Sequence, residues 1–211
     1  MFNRRAGMKR WSPVAGLLVA APLLSGASAV WQSLMDGRTL NGWRPDGQAG
    51  WTVENGAILG RQGPGAAGGN LYTLQQWADF ELELEFRVRW PGNSGIWFRR
   101  SESQPGYQAD ILDQPSYPDT FSGSLWAMGA GFLAKNTDPT SVRKDEWNRL
   151  RIRAACEAII IGLNGKAIVK TSDRRFPQPG SIGIEVHPGE QFRAMEISVR
   201  QIRLKPVECN R

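Results

Sequence analysis

The 211-residue sequence predicts an all-β protein, a two-sheet jelly-roll sandwich, and three observations carry that prediction. From Val30 onward short runs of alternating apolar and polar residues recur, Gly, Pro, Asn and Asp interrupt them, and no long segment has a helical period. About a dozen short strands in a Gly-rich chain close most simply as two packed sheets with their edges protected in the jelly-roll manner.

Residues 1–29 read as a cleavable export signal. Basic Arg4, Arg5, Lys9 and Arg10 precede an apolar run over residues 14–24, and Ala27-Ser28-Ala29 supplies the small-residue cleavage site. The run is too short for a good transmembrane helix, so no stable membrane insertion is expected after cleavage. The mature domain is expected in a bacterial periplasm or outside the cell. Arg4-Arg5 also places the leader near a twin-arginine signal, with Gly7 where a bulkier residue is usual, so both export routes stay open.

The whole chain has 26 Lys and Arg against 20 Asp and Glu, a net of +6. Without the four basic residues of the leader the balance is 22 against 20, a net of +2. Those charges are dispersed, which argues against nucleic acid as a partner. Cys156 and Cys209 both fall in the exported part, where they are free to pair and tie the tail to a hairpin, or to remain thiols. Neither has zinc-site spacing.

Taken in order, residues 34–43 form a lead-in with turns at Asp36-Gly37 and Asn41-Gly42, and residues 51–60 a hairpin closed by Asn55-Gly56. Residues 62–69 read as a mobile Gly- and Ala-rich loop. Residues 80–90 alternate most cleanly: Leu82, Leu84, Phe86 and Val88 point inward, while Glu81, Glu83, Glu85, Arg87 and Arg89 make a solvated outer face. Residues 91–95 turn into the strand at 96–100, and Gln104-Pro105-Gly106 turns into the strand at 107–113. Residues 114–140 read as a long functional rim, rich in Pro, Gly and aromatics. Strands follow at 147–153, 158–163, 167–169, 180–188 and 192–204, giving one domain over residues 30–205 and a tail over 206–211. Nine tryptophans are many for this length; some fill the core, and others suit stacking on sugar rings.

The strand at 180–188 carries the only histidine. Ile182, Ile184 and Val186 share the core face, so Glu185 and His187 share the other. Histidine is the residue type whose ordinary pKa lies nearest neutrality, which makes His187 the simplest general base here.

The ordered set Leu34-Met35-Asp36-Gly37, Asp79-Phe80-Glu81-Leu82, Asn93-Ser94-Gly95-Ile96, Gly106-Tyr107-Gln108-Ala109-Asp110-Ile111-Leu112-Asp113, Gly123-Ser124-Leu125-Trp126, Glu146-Trp147-Asn148 and the His187 stretch resembles the 3-keto-disaccharide hydrolase domain family. That family is also described as 3-keto-glucoside 1,2-lyase/3-keto-2-hydroxyglucal hydratase. The resemblance implies a concanavalin-like jelly roll and cleavage of sugars already oxidised at C3. A C3 ketone acidifies the C2 proton; a base removes it, an enolate forms, and the C1 substituent leaves by β-elimination, after which water can add back. Such chemistry needs a base, a cation or metal for the enolate oxygen, and an acid for the leaving group.

By the resemblance, His187 is the expected base, Arg99 the cation facing the enolate, and Asp110 and Glu185 the carboxyl groups. Gln108, Asn93, Trp97, Trp126 and Arg193 are the expected sugar contacts. Asp110, Glu185 and His187 could together hold a divalent metal ion, or form a hydrogen-bonded polar cluster. The family pattern reads Glu-x-Gln and Gln-x-His where this chain has Gln108-x-Asp110 and Glu185-x-His187, so acid and amide are exchanged across positions. The chain has no dinucleotide fingerprint, so the ketone would come from a separate sugar 3-dehydrogenase.

Two other functions compete. A laminarinase-type glycosidase needs Glu-x-Asp-x-x-Glu, and the aligned Gln108-x-Asp110-x-x-Asp113 puts an amide where the nucleophile belongs. A non-catalytic glycan-binding module would use the same Trp, Asn and Gln residues and leave His187 without a role.

Overall fold

The computed structural model describes residues 30–112 and 117–209. The expected leader and Asp113 lie outside the described residues.

Fifteen strands run in the order β1 (Gln32–Ser33), β2 (Trp43–Gly47), β3 (Gly50–Glu54), β4 (Ala57–Arg61), β5 (Gly69–Thr73), β6 (Phe80–Arg89), β7 (Asn93–Arg100), β8 (Tyr107–Leu112), β9 (Phe121–Ala127), β10 (Gly131–Asn136), β11 (Asn148–Ala155), β12 (Ala158–Leu163), β13 (Lys166–Ser172), β14 (Ser181–Val186) and β15 (Glu196–Pro206). Among the described residues the only helical turns are two short 3-10 segments. An eight-stranded sheet has the order β13-β12-β11-β6-β15-β4-β3, with β1 also on β15, and a seven-stranded sheet the order β10-β9-β8-β7-β14-β5-β2. Neighbours far apart in sequence, such as β6 beside β15 and β7 beside β14, are the crossings of a jelly roll.

Alternation builds the core. Leu82, Leu84 and Phe86 of β6 point inward from one sheet, and Ile96, Phe98, Ile111, Ile184 and Val186 from the other. The outward Glu81, Glu83 and Glu85 stand directly opposite Arg153, Arg151 and Arg149 of β11 and opposite Lys205, Arg203 and Arg200 of β15. Each carboxylate therefore lies between two cations, and on this face the carboxylates are engaged in a charge ladder. The cations are exposed while the glutamates are largely covered, so this face is less solvated than the alternation predicts; pairs at a surface contribute about 0–1 kcal/mol each.

Two differences from the sequence expectation stand out. The rim at 114–140 contains strands β9 and β10, and Phe192 belongs to a 3-10 turn (Glu190–Phe192) rather than to the last strand. Cys156 and Cys209 form a disulfide, Cα–Cα 5.1 Å, which ties the C-terminal tail to the β11–β12 hairpin.

Candidate functional site

The outer face of the seven-stranded sheet differs from the ladder on its partner: among the described residues its carboxyl groups Asp110 and Glu185 form no ion pair within 4.0 Å. The same alternation that buries Ile184 and Val186 points Glu185 outward on β14, and burying Ala109 and Ile111 points Gln108 and Asp110 outward on β8. Cross-strand register aligns Trp126, Gln108, Trp97 and Gly183 in one row over β9, β8, β7 and β14. In the next row Gly95 of β7 stands opposite Asp110, and the Ile96–Ile184 pairing sets it beside Glu185. Without a side chain at Gly95, the space between the two carboxyls is open to Gln108. A Cβ there would come within 2.4 Å of Gln108 Nε2.

Gln108 crosses that space and donates from Nε2 to Glu185 Oε2 at 2.6 Å. The exchange of acid and amide noted in the sequence therefore leaves a bonded carboxylate–amide pair with the two positions reversed. Asp110 is 5% exposed, and its carboxyl has no hydrogen-bond partner among the described residues. Burial raises its pKa well above the usual carboxylate range, and the neighbouring Glu185 charge raises it further. Burial also raises Glu185, against which the Gln108 hydrogen bond and the charges of His187 and Arg100 act. Of the two, Asp110 is pushed up further, because no group among the described residues donates to it.

His187 follows β14 and is held from several sides. Its backbone N–H donates to Asn93 O at 3.3 Å, and its own carbonyl accepts from Gln62 Nε2 at 2.8 Å. Its ring packs edge-on against Phe192, centroids 5.5 Å apart. Nδ1 lies 2.7 Å from Pro188 O. A carbonyl oxygen can only accept, so Nδ1 carries a hydrogen, and Nε2 is the nitrogen left to exchange a proton with a bound molecule. The loop at 62–69, which composition reads as mobile, is tied to this segment: Gln62 Nε2 also donates to Gly189 O at 2.9 Å, and Gly189 N donates to Ala66 O at 3.0 Å.

These groups line one cavity of about 210 Å³ together with Asn93, Trp97, Leu112, Tyr117, Trp126, Met128 and Phe132. Trp97 and Trp126 meet edge to face at 5.8 Å. Of the residues expected at the site, His187, Asp110, Glu185, Gln108, Asn93, Trp97 and Trp126 are brought together here. Leu112, Tyr117, Met128 and Phe132 are additions that sequence reasoning missed; all but Leu112 lie in the segment read as a functional rim. A groove of about 450 Å³ on the other sheet is lined by Trp31, Glu83, Glu85, Arg149 and Arg203, whose charges are engaged in the ladder.

Three expectations need correction. Arg99 does not face the cavity. A bulge at this residue, φ 53°, sets two β7 residues, Phe98 and Arg99, against the single Ile182 on β14. The Arg99 side chain turns into the protein at 1% exposure, where Nε donates to Ala78 O at 2.6 Å and Nη2 to Asp79 Oδ1 at 3.1 Å and Cys156 O at 2.9 Å. Arg100 instead reaches the outer face, its guanidinium 5.3 Å from the Trp97 ring and 5.6 Å from the Tyr72 ring. Arg193 is paired with Glu190 on the exposed 3-10 turn and does not line the cavity. Finally, Asp110, Glu185 and His187 share the cavity, but among the described residues no three His, Cys, Asp or Glu side chains are placed to hold a metal ion. The donor set as arranged does not fit a three-ligand centre.

Comparison with known proteins bears on this geometry in two ways. Residues 30–205 match the family described as 3-keto-alpha-glucoside-1,2-lyase-like domain. A curated 3-keto-disaccharide hydrolase of Bacteroides thetaiotaomicron is 30% identical over 172 residues, 65% of this chain and 57% of that protein. The chain thus spans little more than half the length of that relative. Among solved structures, a putative glycosyl hydrolase from Parabacteroides distasonis superposes with TM-score 0.62 at 15% identity, over 84% of this chain and 94% of that one. The carbohydrate binding module CBM66 from Bacillus subtilis superposes with TM-score 0.62 at 16% identity, over 78% and 95%. At such identities the likeness is one of fold, and it supports the jelly roll.

Proposed function

Because the chain belongs to the 3-keto-alpha-glucoside-1,2-lyase-like domain family, we propose that it cleaves glycosides whose glucose ring carries a ketone at C3, by C2 proton removal and β-elimination. The observation that carries this reading is one cavity lined both by a histidine whose Nε2 has no partner among the described residues and by a buried carboxyl whose pKa burial raises well above the usual range. Proton abstraction and leaving-group protonation need a base and an acid of these two kinds.

His187 Nε2 takes the C2 proton, and the electron pair forms the enolate with the C3 ketone. As the enolate collapses, the C1–O bond breaks and Asp110 gives its proton to the departing oxygen, leaving a 1,2-unsaturated 3-keto sugar. Addition of water to that product, hydroxyl to C1 and proton to C2, completes a net hydrolysis. Glu185 accepts from Gln108 Nε2 and fixes the amide. The Asn93 side chain, which has no hydrogen-bond partner among the described residues, is the neutral donor for the enolate oxygen in place of Arg99. Trp97 and Trp126 supply the apolar faces on which a sugar ring stacks.

In this reading the leader directs the domain out of the cytoplasm, and a separate sugar 3-dehydrogenase supplies the ketone. The competing reading is a glycan-binding module. It has no use for a buried carboxyl of raised pKa, which costs stability at neutral pH and brings nothing to sugar binding that an amide would not. Turnover of 3-keto-trehalose and of 3-keto aryl glucosides by the purified domain, compared with His187→Ala, tests the proposal. The expected loss in kcat/KM is about 10²-fold or more with folding intact. Unchanged turnover in the variant removes His187 as the base, and sugar binding without any turnover favours the binding module.

A further inference from the structure

The lining of the cavity is divided by polarity along the sheet. Asn93, Gln108, Asp110, Glu185 and His187 come from β7, β8 and the end of β14. The half over β9 and β10 is formed by Phe132, Met128 and Tyr117, with Leu112 and Trp126, on which the sugar ring stacks, at the boundary. None of these five carries a charge. Tyr117 and Met128 are 43% and 37% exposed, and they are two of the four exposed large hydrophobic residues among those described. Tyr117 and Phe132 hold each other edge to face, ring centroids 5.4 Å apart, so this wall is organised without a ligand.

We propose that this apolar half is a subsite for an aromatic or otherwise apolar leaving group, so that the preferred substrates are 3-keto glucosides of small apolar alcohols or phenols rather than 3-keto disaccharides. Orientation follows from the roles of His187 and Asp110 and rests on the elimination reading. The base follows β14 and the acid lies on β8, with β7 between them, so the vicinal C1 and C2 on which they act lie over β7. With C2 toward His187 and the C1 oxygen at Asp110, the leaving group continues in the same direction, over β9 and β10. A second sugar there would bring many hydroxyls against Met128, Phe132 and Leu112, which offer no hydrogen bonds. An apolar ring needs none and covers the wall from water.

The test uses 3-keto glucosides of methanol and of 2-phenylethanol, two alcohols of similar acidity, so the chemical step is matched. Both anomers are used, with 3-keto-trehalose alongside. The expected kcat/KM for the phenylethyl compound exceeds those for the methyl compound and 3-keto-trehalose by about tenfold or more. In the double variant Tyr117→Ser/Met128→Ser, both exposed positions, the phenylethyl-to-methyl ratio falls toward one. Equilibrium binding of the corresponding unoxidised glucosides, followed by tryptophan fluorescence, reads the same ratio without chemistry. If no 3-keto glycoside turns over, the elimination reading fails, and the binding ratio alone then decides the subsite. A wild-type ratio near one, a ratio unchanged in the double variant, or no binding of either glucoside overturns the proposal.

Discussion

Replacing Arg99 with alanine separates a structural from a catalytic role for the residue that the family motif places in the cleft. In the fold its guanidinium is buried and donates to Ala78 O, Asp79 Oδ1 and Cys156 O. Truncation leaves two carbonyl oxygens without that donor. It also leaves the Asp79 carboxylate with one bond from Cys156 N at 2.6 Å and no ion-pair partner among the described residues. Breaking a buried pair by removing one partner costs about 3–5 kcal/mol. The Asp79 side chain is 26% exposed and recovers some hydration, so the lower end, about 3 kcal/mol, is the expected loss. Urea denaturation followed by tryptophan fluorescence gives the stability, and kcat/KM measured well below the transition gives the function. The expected result is a large loss of stability with kcat/KM within roughly threefold of wild type, well short of the 10²-fold or greater effects of lost catalytic groups. A variant of near wild-type stability that has lost turnover would refute the placement of Arg99 as a structural anchor.

Asp110→Asn is expected to lower kcat/KM by about 10²-fold while raising stability at neutral pH. The folded-state pKa of Asp110 is raised, so its contribution to stability is complete below the unfolded value near 3.9 and is lost as pH rises through the folded value. The amide does not ionise, so the stability gap in favour of the variant should widen from pH 4 to pH 8; a gap independent of pH contradicts the assignment. Cys209→Ser opens a loop of 53 residues and is expected to cost about 4 kcal/mol by chain entropy, read as a lower urea midpoint, with activity retained in the folded fraction. An unchanged midpoint would mean that the tail adds nothing to the fold.

How much the sequence disclosed depended on where each residue's partners lie. Strand β6 was legible because one face meets the core and the other meets water, which forces strict alternation. Glu185 and His187 were placed on one face by the same rule. Strands β9 and β10 were hidden because their polar residues are buried against distant backbone: Ser122 Oγ bonds Leu112, and Ser124 Oγ accepts from Asn136 N. A pattern reading takes such serines for a loop. Arg99 was misplaced by a single left-handed residue in β7, which shifts every outward position after it and has no composition signal, since it is not glycine. The Gln108–Glu185 bond crosses two strands 77 residues apart in sequence, so the exchanged residues could be noticed in order but not joined.

The central claim is that cleavage begins with removal of the C2 proton. Its most direct test is the kcat/KM of one 3-keto glucoside carrying protium or deuterium at C2, measured on the wild-type domain. The account predicts severalfold slower turnover of the deuterated compound; equal rates, with the aglycone released from both, would contradict it.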